Sequence, residues 1–81
     1  MQQRVLLFGP QAQRVGRREV ELDLADDATA AAVLNLMRER EPRLADSIAV
    51  SRLAINHRIA EPEAPVAAGD KLALIGLISG G

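Results

Sequence analysis

The residues that most clearly could take part in a reaction are the last three, Ser79, Gly80 and Gly81. Glycine has no Cβ atom, so such a segment can thread a narrow channel and adopt backbone angles closed to other residues. The last four residues of the chain span at most about 13–14 Å when extended. The sequence therefore favours a reaction of the Gly81 carboxylate inside another protein, at the α-phosphate of ATP. The alternative is an incidental glycine pair at a frayed end.

Other residues that could do chemistry are few. Cysteine is absent, so the chain has no disulfide, no thiolate zinc ligand and no cysteine nucleophile. Any sulfur that it carries cannot be bound as a cysteine persulfide. His57 is the single histidine and is interpreted as a turn residue, so no metal site is predicted. No glycine-rich phosphate loop or catalytic triad is present. We therefore expect no tightly bound cofactor and no turnover by this chain alone.

Size and charge exclude several classes of protein. The 81 residues suffice for one domain, and ten basic side chains nearly balance eleven acidic ones. A nucleic-acid-binding protein would normally carry a basic stripe and a high pI, so no nucleic-acid partner is expected. No stretch approaches the roughly 20 apolar residues of a membrane span, and the apolar run at residues 5–8 is too short for a signal peptide. We expect a cytoplasmic protein with no membrane partner.

The elements that must position the tail follow from the apolar pattern. Strands are predicted at residues 5–8 (buried on both faces), 18–24, 53–55, 59–60 and 71–78, with a loop at 9–16 and no assignment for 43–51. A helix is predicted after the N-cap residue Thr29, with one apolar face and an end near Glu41, before Pro42. This order predicts an α+β fold, a mixed sheet with one main helix packed on one face. The β-grasp is such an arrangement, and periodicity alone does not separate it from other α+β topologies. The last strand is expected at the centre, parallel to the first.

Four segments carry a resemblance that covers the whole chain. They are residues 4–8 (Arg-Val-Leu-Leu-Phe), 53–56 (Leu-Ala-Ile-Asn), 66–70 (Val-Ala-Ala-Gly-Asp) and 78–81 (Ile-Ser-Gly-Gly). In this order they resemble the MoaD/ThiS-like sulfur-carrier family, and within it the small subunits of molybdopterin synthase. The resemblance implies a ubiquitin-like β-grasp domain over residues 1–78 and a flexible tail over residues 79–81.

The resemblance also implies a reaction and its partners. A ubiquitin-activating-like adenylyltransferase would consume ATP to convert the Gly81 carboxylate to an acyl-adenylate, and a sulfur donor enzyme would supply the sulfur of a thiocarboxylate. The tail would then enter the large subunit of molybdopterin synthase and donate sulfur to a cyclic pyranopterin phosphate, with two carriers per dithiolene. The large subunit would hold the catalytic side chains. Phe8, Ile59 and Ile75 would form an exposed apolar contact with it.

One departure from the family keeps other functions open. Many molybdopterin-type members have a Pro-Pro pair just before the last four residues, where this chain has Gly76 and Leu77. The alternatives are a sulfur carrier for thiamine thiazole, cysteine or tRNA thiolation, and a ubiquitin-like protein modifier that becomes linked to a lysine of its target. A plain β-grasp interaction module is a third class, and in that case deletion of the two glycines would cost no function.

Overall fold

The structure is a computed structural model and describes residues 1–76 of the chain. The strands are β1 (Gln2–Leu6), β2 (Glu19–Asp23), β3 (Ser51–Ile55), β4 (Arg58–Ile59) and β5 (Leu72–Gly76). The helices are α1 (Gly9–Val15), α2 (Ala30–Arg40) and α3 (Ala45–Ala49), with a short 3₁₀ helix (Pro42–Leu44) before α3. The predicted continuation of the last strand to Ile78 and the tail residues Ser79, Gly80 and Gly81 lie outside the described residues.

The five strands form one mixed sheet in the order β2-β1-β5-β3-β4. The strand β1 pairs antiparallel with β2 and parallel with β5, and β5 pairs antiparallel with β3 along its whole described length. The prediction of a β-grasp sheet with a central last strand parallel to the first is therefore confirmed. Its consequence for function is that the strand that leads towards the tail is the middle strand of the sheet.

The predicted helix is confirmed as α2, the main helix. Thr29 takes an extended N-cap conformation, and its Oγ1 accepts a hydrogen bond of 3.3 Å from the backbone N–H of Ala32. Val33 and Met37 on its apolar face are fully buried against the sheet. The core thus lies between α2 and one face of the sheet, and the opposite face carries no helix in the part of the chain that the structure describes.

The prediction that the first strand is buried on both faces is wrong. In β1 burial alternates, with Val5 fully buried and Leu6 41% exposed. The apolar run misled the prediction because it crosses the end of the strand, so that only its alternate residues face the core. As a result Leu6 is available on the open face of the sheet.

The prediction of a loop at residues 9–16 is also wrong, because these residues form α1. Proline is accepted in the first turn of a helix, where its missing N–H has no intrahelical partner, so Gly9 and Pro10 begin this helix as well as end the strand. Gly16 ends α1 in the left-handed conformation, at φ 72°, and its N–H donates to the Ala12 carbonyl over 2.9 Å. The unassigned residues 43–51 contain α3 and most of the 3₁₀ helix.

A carboxylate ties the β3–β4 turn to the start of β5. Asn56 and His57 both have positive φ, as a two-residue hairpin turn requires. The Asn56 side-chain amide donates to Asp70 Oδ1 over 2.9 Å, and the backbone N–H of Ala67 donates to Asp70 Oδ2 over 2.7 Å. Both hydrogen bonds lower the pKa of Asp70 below its ordinary value, and the one from Ala67 has the larger effect.

This tie predicts a pH dependence of stability. Because the pKa of Asp70 is lower in the folded chain, its contribution is present above the unfolded pKa and disappears as the pH falls through the folded pKa. We expect Asp70→Asn to lower the melting temperature at neutral pH and to flatten the loss of stability towards acid. Thermal melts from neutral pH into the acid range test this expectation. Asp27→Asn, which changes an exposed aspartate, is the control. Parallel pH curves for wild type and Asp70→Asn would contradict the assignment.

None of the helices among residues 1–76 has the length and apolar character needed to cross a membrane.

Candidate functional site

The open face of the sheet carries an apolar row that crosses four strands. Side chains directly opposite one another on paired strands lie on the same face. Leu6 of β1 is opposite Ala73 of β5, Ala73 is opposite Ala54 of β3, and Ala54 is opposite Ile59 of β4. Leu6 is exposed, which places the whole row on the face that α2 does not cover.

Two further residues extend this row towards the end of β5. Ile75 follows Ala73 at a spacing of two residues, so its side chain lies on the same face of β5, and Phe8 follows Leu6 just beyond β1. Phe8 is 54% exposed and Ile59 is 50% exposed. We call this surface the open-face patch and define it by the residues Leu6, Phe8, Ala54, Ile59, Ala73 and Ile75, which line one groove.

The three residues predicted to contact a partner, Phe8, Ile59 and Ile75, lie together on this patch. Sequence reasoning missed Leu6, Ala54 and Ala73. The period of two along a strand could have identified Leu6, because it lies two residues before Phe8 and therefore shares its face. The two alanines gave no signal, because only the pairing register of β3 and β5 shows that small side chains fill the centre of the row.

Charged side chains surround the patch. Arg4 of β1 pairs with Glu19 of β2 at 3.8 Å, both on the open face. On the other side, Arg52 of β3 lies 3.6 Å from Glu61 and donates to the Ala60 carbonyl over 3.3 Å. An apolar centre with a charged rim is the usual anatomy of a surface that binds another protein.

A second groove begins where β5 ends. It lies between α1 and the second half of β5 and contains Phe8, Gln11, Ile75 and Gly76. Phe8 and Ile75 therefore line both grooves, so the open-face patch is continuous with the place where the chain passes Gly76. The predicted tail residues Ser79, Gly80 and Gly81 follow from this point and lie beyond the described residues.

The described residues give little scope for a metal centre. Within residues 1–76, no group of three or more histidine, cysteine, aspartate or glutamate side chains is arranged to hold a metal ion. His57 lies in the β3–β4 turn and lines the rim of the open-face patch together with Lys71. What the site offers is an apolar face next to Gly76, the last described residue of β5.

Comparison with known proteins gives a family match over nearly the whole chain. The sequence profile of the ThiS family matches residues 5–81. No curated protein sequence is a significant match.

Several solved structures have the same fold. SAMP1 from Haloferax volcanii is 28% identical, with a TM-score of 0.83 and complete coverage of both chains. A protein from Pyrococcus furiosus assigned as subunit 1 of molybdopterin converting factor is 20% identical, with a TM-score of 0.79 over 91% of this chain and 94% of that one. A complex of subunits 1 and 2 of this factor from Helicobacter pylori matches at 23% identity, with a TM-score of 0.70 and complete coverage of both chains. The last two likenesses are evidence of fold alone.

Proposed function

Because the chain belongs to the ThiS family of ubiquitin-like sulfur carriers, we propose that it carries sulfur as a thiocarboxylate on Gly81. The supporting observation is the position of the open-face patch. It crosses the strand that leads to the tail, so a partner bound to this face lies next to Gly76, five residues before the carboxylate in the sequence. The rigid sheet is then the recognition surface, and the carboxylate is the reacting group.

The proposed reaction has two steps, both catalysed by partners. A ubiquitin-activating-like adenylyltransferase joins the Gly81 carboxylate to the α-phosphate of ATP and releases pyrophosphate. Sulfur at the oxidation level of hydrosulfide, supplied by a donor enzyme, then attacks the acyl carbon and displaces AMP. The product is the thiocarboxylate. We place this chemistry in the cytoplasm, and ATP is consumed by the partner without becoming a resident cofactor of this chain.

For the acceptor, we propose a cyclic pyranopterin phosphate, with this chain as the small subunit of molybdopterin synthase. The ThiS family match supports a sulfur-carrier role, and subunit 1 of molybdopterin converting factor, which forms a complex with subunit 2, shares the fold. The open-face patch, with its exposed Phe8 and Ile59, has the apolar character that is typical of the core of a subunit interface. The cyclic substrate and the catalytic side chains would then lie in the large subunit.

Reconstitution tests this acceptor. The thiocarboxylated chain, mixed with the molybdopterin synthase large subunit from the same source and cyclic pyranopterin phosphate, should yield molybdopterin with two carriers consumed per dithiolene. The matched reaction replaces the large subunit and its substrate with a thiazole synthase and its substrates. Product in the second reaction and none in the first would assign the chain to the thiamine branch.

A second candidate function is protein modification. The observation that favours it is the 28% identity to SAMP1 across the full length of both chains, since this neighbour is a small archaeal modifier protein. Lys71 is the last basic residue, so trypsin would leave residues 72–81 attached to a target lysine. Mass spectrometry of cells that express an N-terminally tagged chain should detect this branched remnant if the chain is a modifier. A variant without Gly81 is the control.

A further inference from the structure

A buried polar network lies beneath the end of β5. Gln11 of α1 is only 8% exposed, and its side-chain amide donates to Ser47 Oγ over 2.6 Å and to Ser51 Oγ over 3.0 Å. Ser51 in turn donates to the Ser47 carbonyl over 2.7 Å. The network therefore connects α1, α3 and β3, three elements that are distant in the sequence.

The network passes directly under Gly76. Ser51 is opposite Gly76 in the β3–β5 ladder. A Cβ atom built on Gly76 would lie 3.8 Å from Gln11 Nε2, which is ordinary van der Waals contact. The amide of Gln11 thus lies on the core side of Gly76, within reach of any side chain placed there.

The sheet itself holds this part of β5 on one side. In the described part of the chain, β1 pairs with β5 at Val5↔Leu72 and Leu6↔Ala73 and then turns away into α1. From Leu74 to Gly76, β5 has β3 as its neighbour on one edge and the groove against α1 on the other. Gln11 spans this groove, so it links the two sides that the β1–β5 ladder no longer connects.

We propose that Gln11 is a positioning residue for the tail, because it fixes the groove that holds β5 at Gly76, from which the chain continues to Gly81. This inference rests on the proposed function, in which the Gly81 carboxylate must reach a reacting site inside a partner. Apolar side chains could fill the same volume, but they would not impose a direction. Hydrogen bonds fix geometry as well as distance.

The chain offers a matched control. Gln3 is also a buried glutamine, 7% exposed, and its amide donates to the Ala67 carbonyl over 2.8 Å. It lies near the start of β5, at the end of the sheet opposite Gly76. Gln3→Met and Gln11→Met therefore remove the same chemical group from similar burial, and only Gln11→Met removes it next to Gly76.

The experiment measures initial rates of thiocarboxylate formation with the adenylyltransferase that co-purifies with the chain, ATP and sodium sulfide. We expect Gln11→Met to lower kcat about tenfold with KM unchanged, since a misplacement of about 1 Å can cost up to about 100-fold. Gln3→Met should keep the wild-type kcat. The triple variant Q11M/S47A/S51A should regain stability, because it leaves no unpaired buried group, but should keep the low kcat. Recovery of kcat together with stability would overturn the inference.

A second measurement does not depend on sulfur chemistry. Amide relaxation by NMR should show a lower order parameter for Gly76 in Gln11→Met than in wild type and Gln3→Met. An unchanged order parameter would overturn the positioning role, even in an active carrier. Failure of the wild-type chain to acquire sulfur would contradict the proposed function, and the relaxation result would then decide the inference alone.

Discussion

A chain that lacks Gly80 and Gly81 should form no thiocarboxylate yet bind the large subunit nearly as well as the full chain. The two glycines have no side chains to pack, and fixing a residue's backbone costs about 1–2 kcal/mol, so their net contribution to affinity should be close to zero. Activity, in contrast, should fall to background, because the shortened carboxylate cannot reach the activating site. We expect an affinity within about threefold of wild type, which corresponds to less than 1 kcal/mol.

The measurement compares affinity, by calorimetry, with thiocarboxylate yield, by intact mass, on the same preparations. Gly81→Ala is the matched control for tail length: it keeps the reach of the carboxylate and adds one methyl group, so it should bind normally and react slowly. If the truncated chain lost binding as completely as activity, the tail and not the open-face patch would hold the complex together.

The second large effect is expected at Ile75, on the part of the open-face patch towards the end of β5. Ile75→Asp should weaken binding of the large subunit at least about 30-fold, the equivalent of about 2 kcal/mol, which is the threshold for a hot-spot residue. The physical reason is that binding would remove water from a carboxylate in the middle of an apolar contact, which costs free energy. We expect the free chain to stay folded, because Ile75 is only half-buried.

The position of Ile75 in the ladder explains why the fold should tolerate this change. Arg52 is directly opposite Ile75 on β3, and opposite charges on facing strand positions are stabilising. Leu74, the preceding residue, is fully buried on the core face, so Leu74→Asp should unfold the chain. Asn35→Asp on α2 adds the same charge away from the open face and should bind normally. A folded Ile75→Asp chain with wild-type affinity would exclude Ile75 from the interface.

The α+β class and the order of the long elements could be predicted because these elements have clear periodicity, and the family resemblance then selected the β-grasp topology. The alternation in β2 and the helical spacing in α2 each indicate one buried face, and the strongly apolar β5 indicates a central strand. The short helices α1 and α3 could not be recognised in this way, since seven and five residues give too few turns for a helical periodicity to stand out. In α1 the Gly9-Pro10 pair was also ambiguous, because it is compatible both with the end of a strand and with the start of a helix.

The candidate site could be predicted only in part, for a related reason. Phe8, Ile59 and Ile75 were proposed from the family resemblance, and the structure places them on one surface. Their continuity through Ala54 and Ala73 depends on strand register, which the sequence alone does not specify when small residues occupy both positions. The Gln11 network was missed because its three side chains come from segments that were assigned as loop or left unassigned.

The central claim is that the reacting group is the Gly81 carboxylate. Its most direct test is the intact mass of the full chain after incubation with ATP, its adenylyltransferase and a sulfur source, followed by fragmentation to locate the change. The account predicts that one oxygen atom is exchanged for sulfur, at Gly81. An unchanged mass with each activating partner, or sulfur located at any other residue, would contradict it.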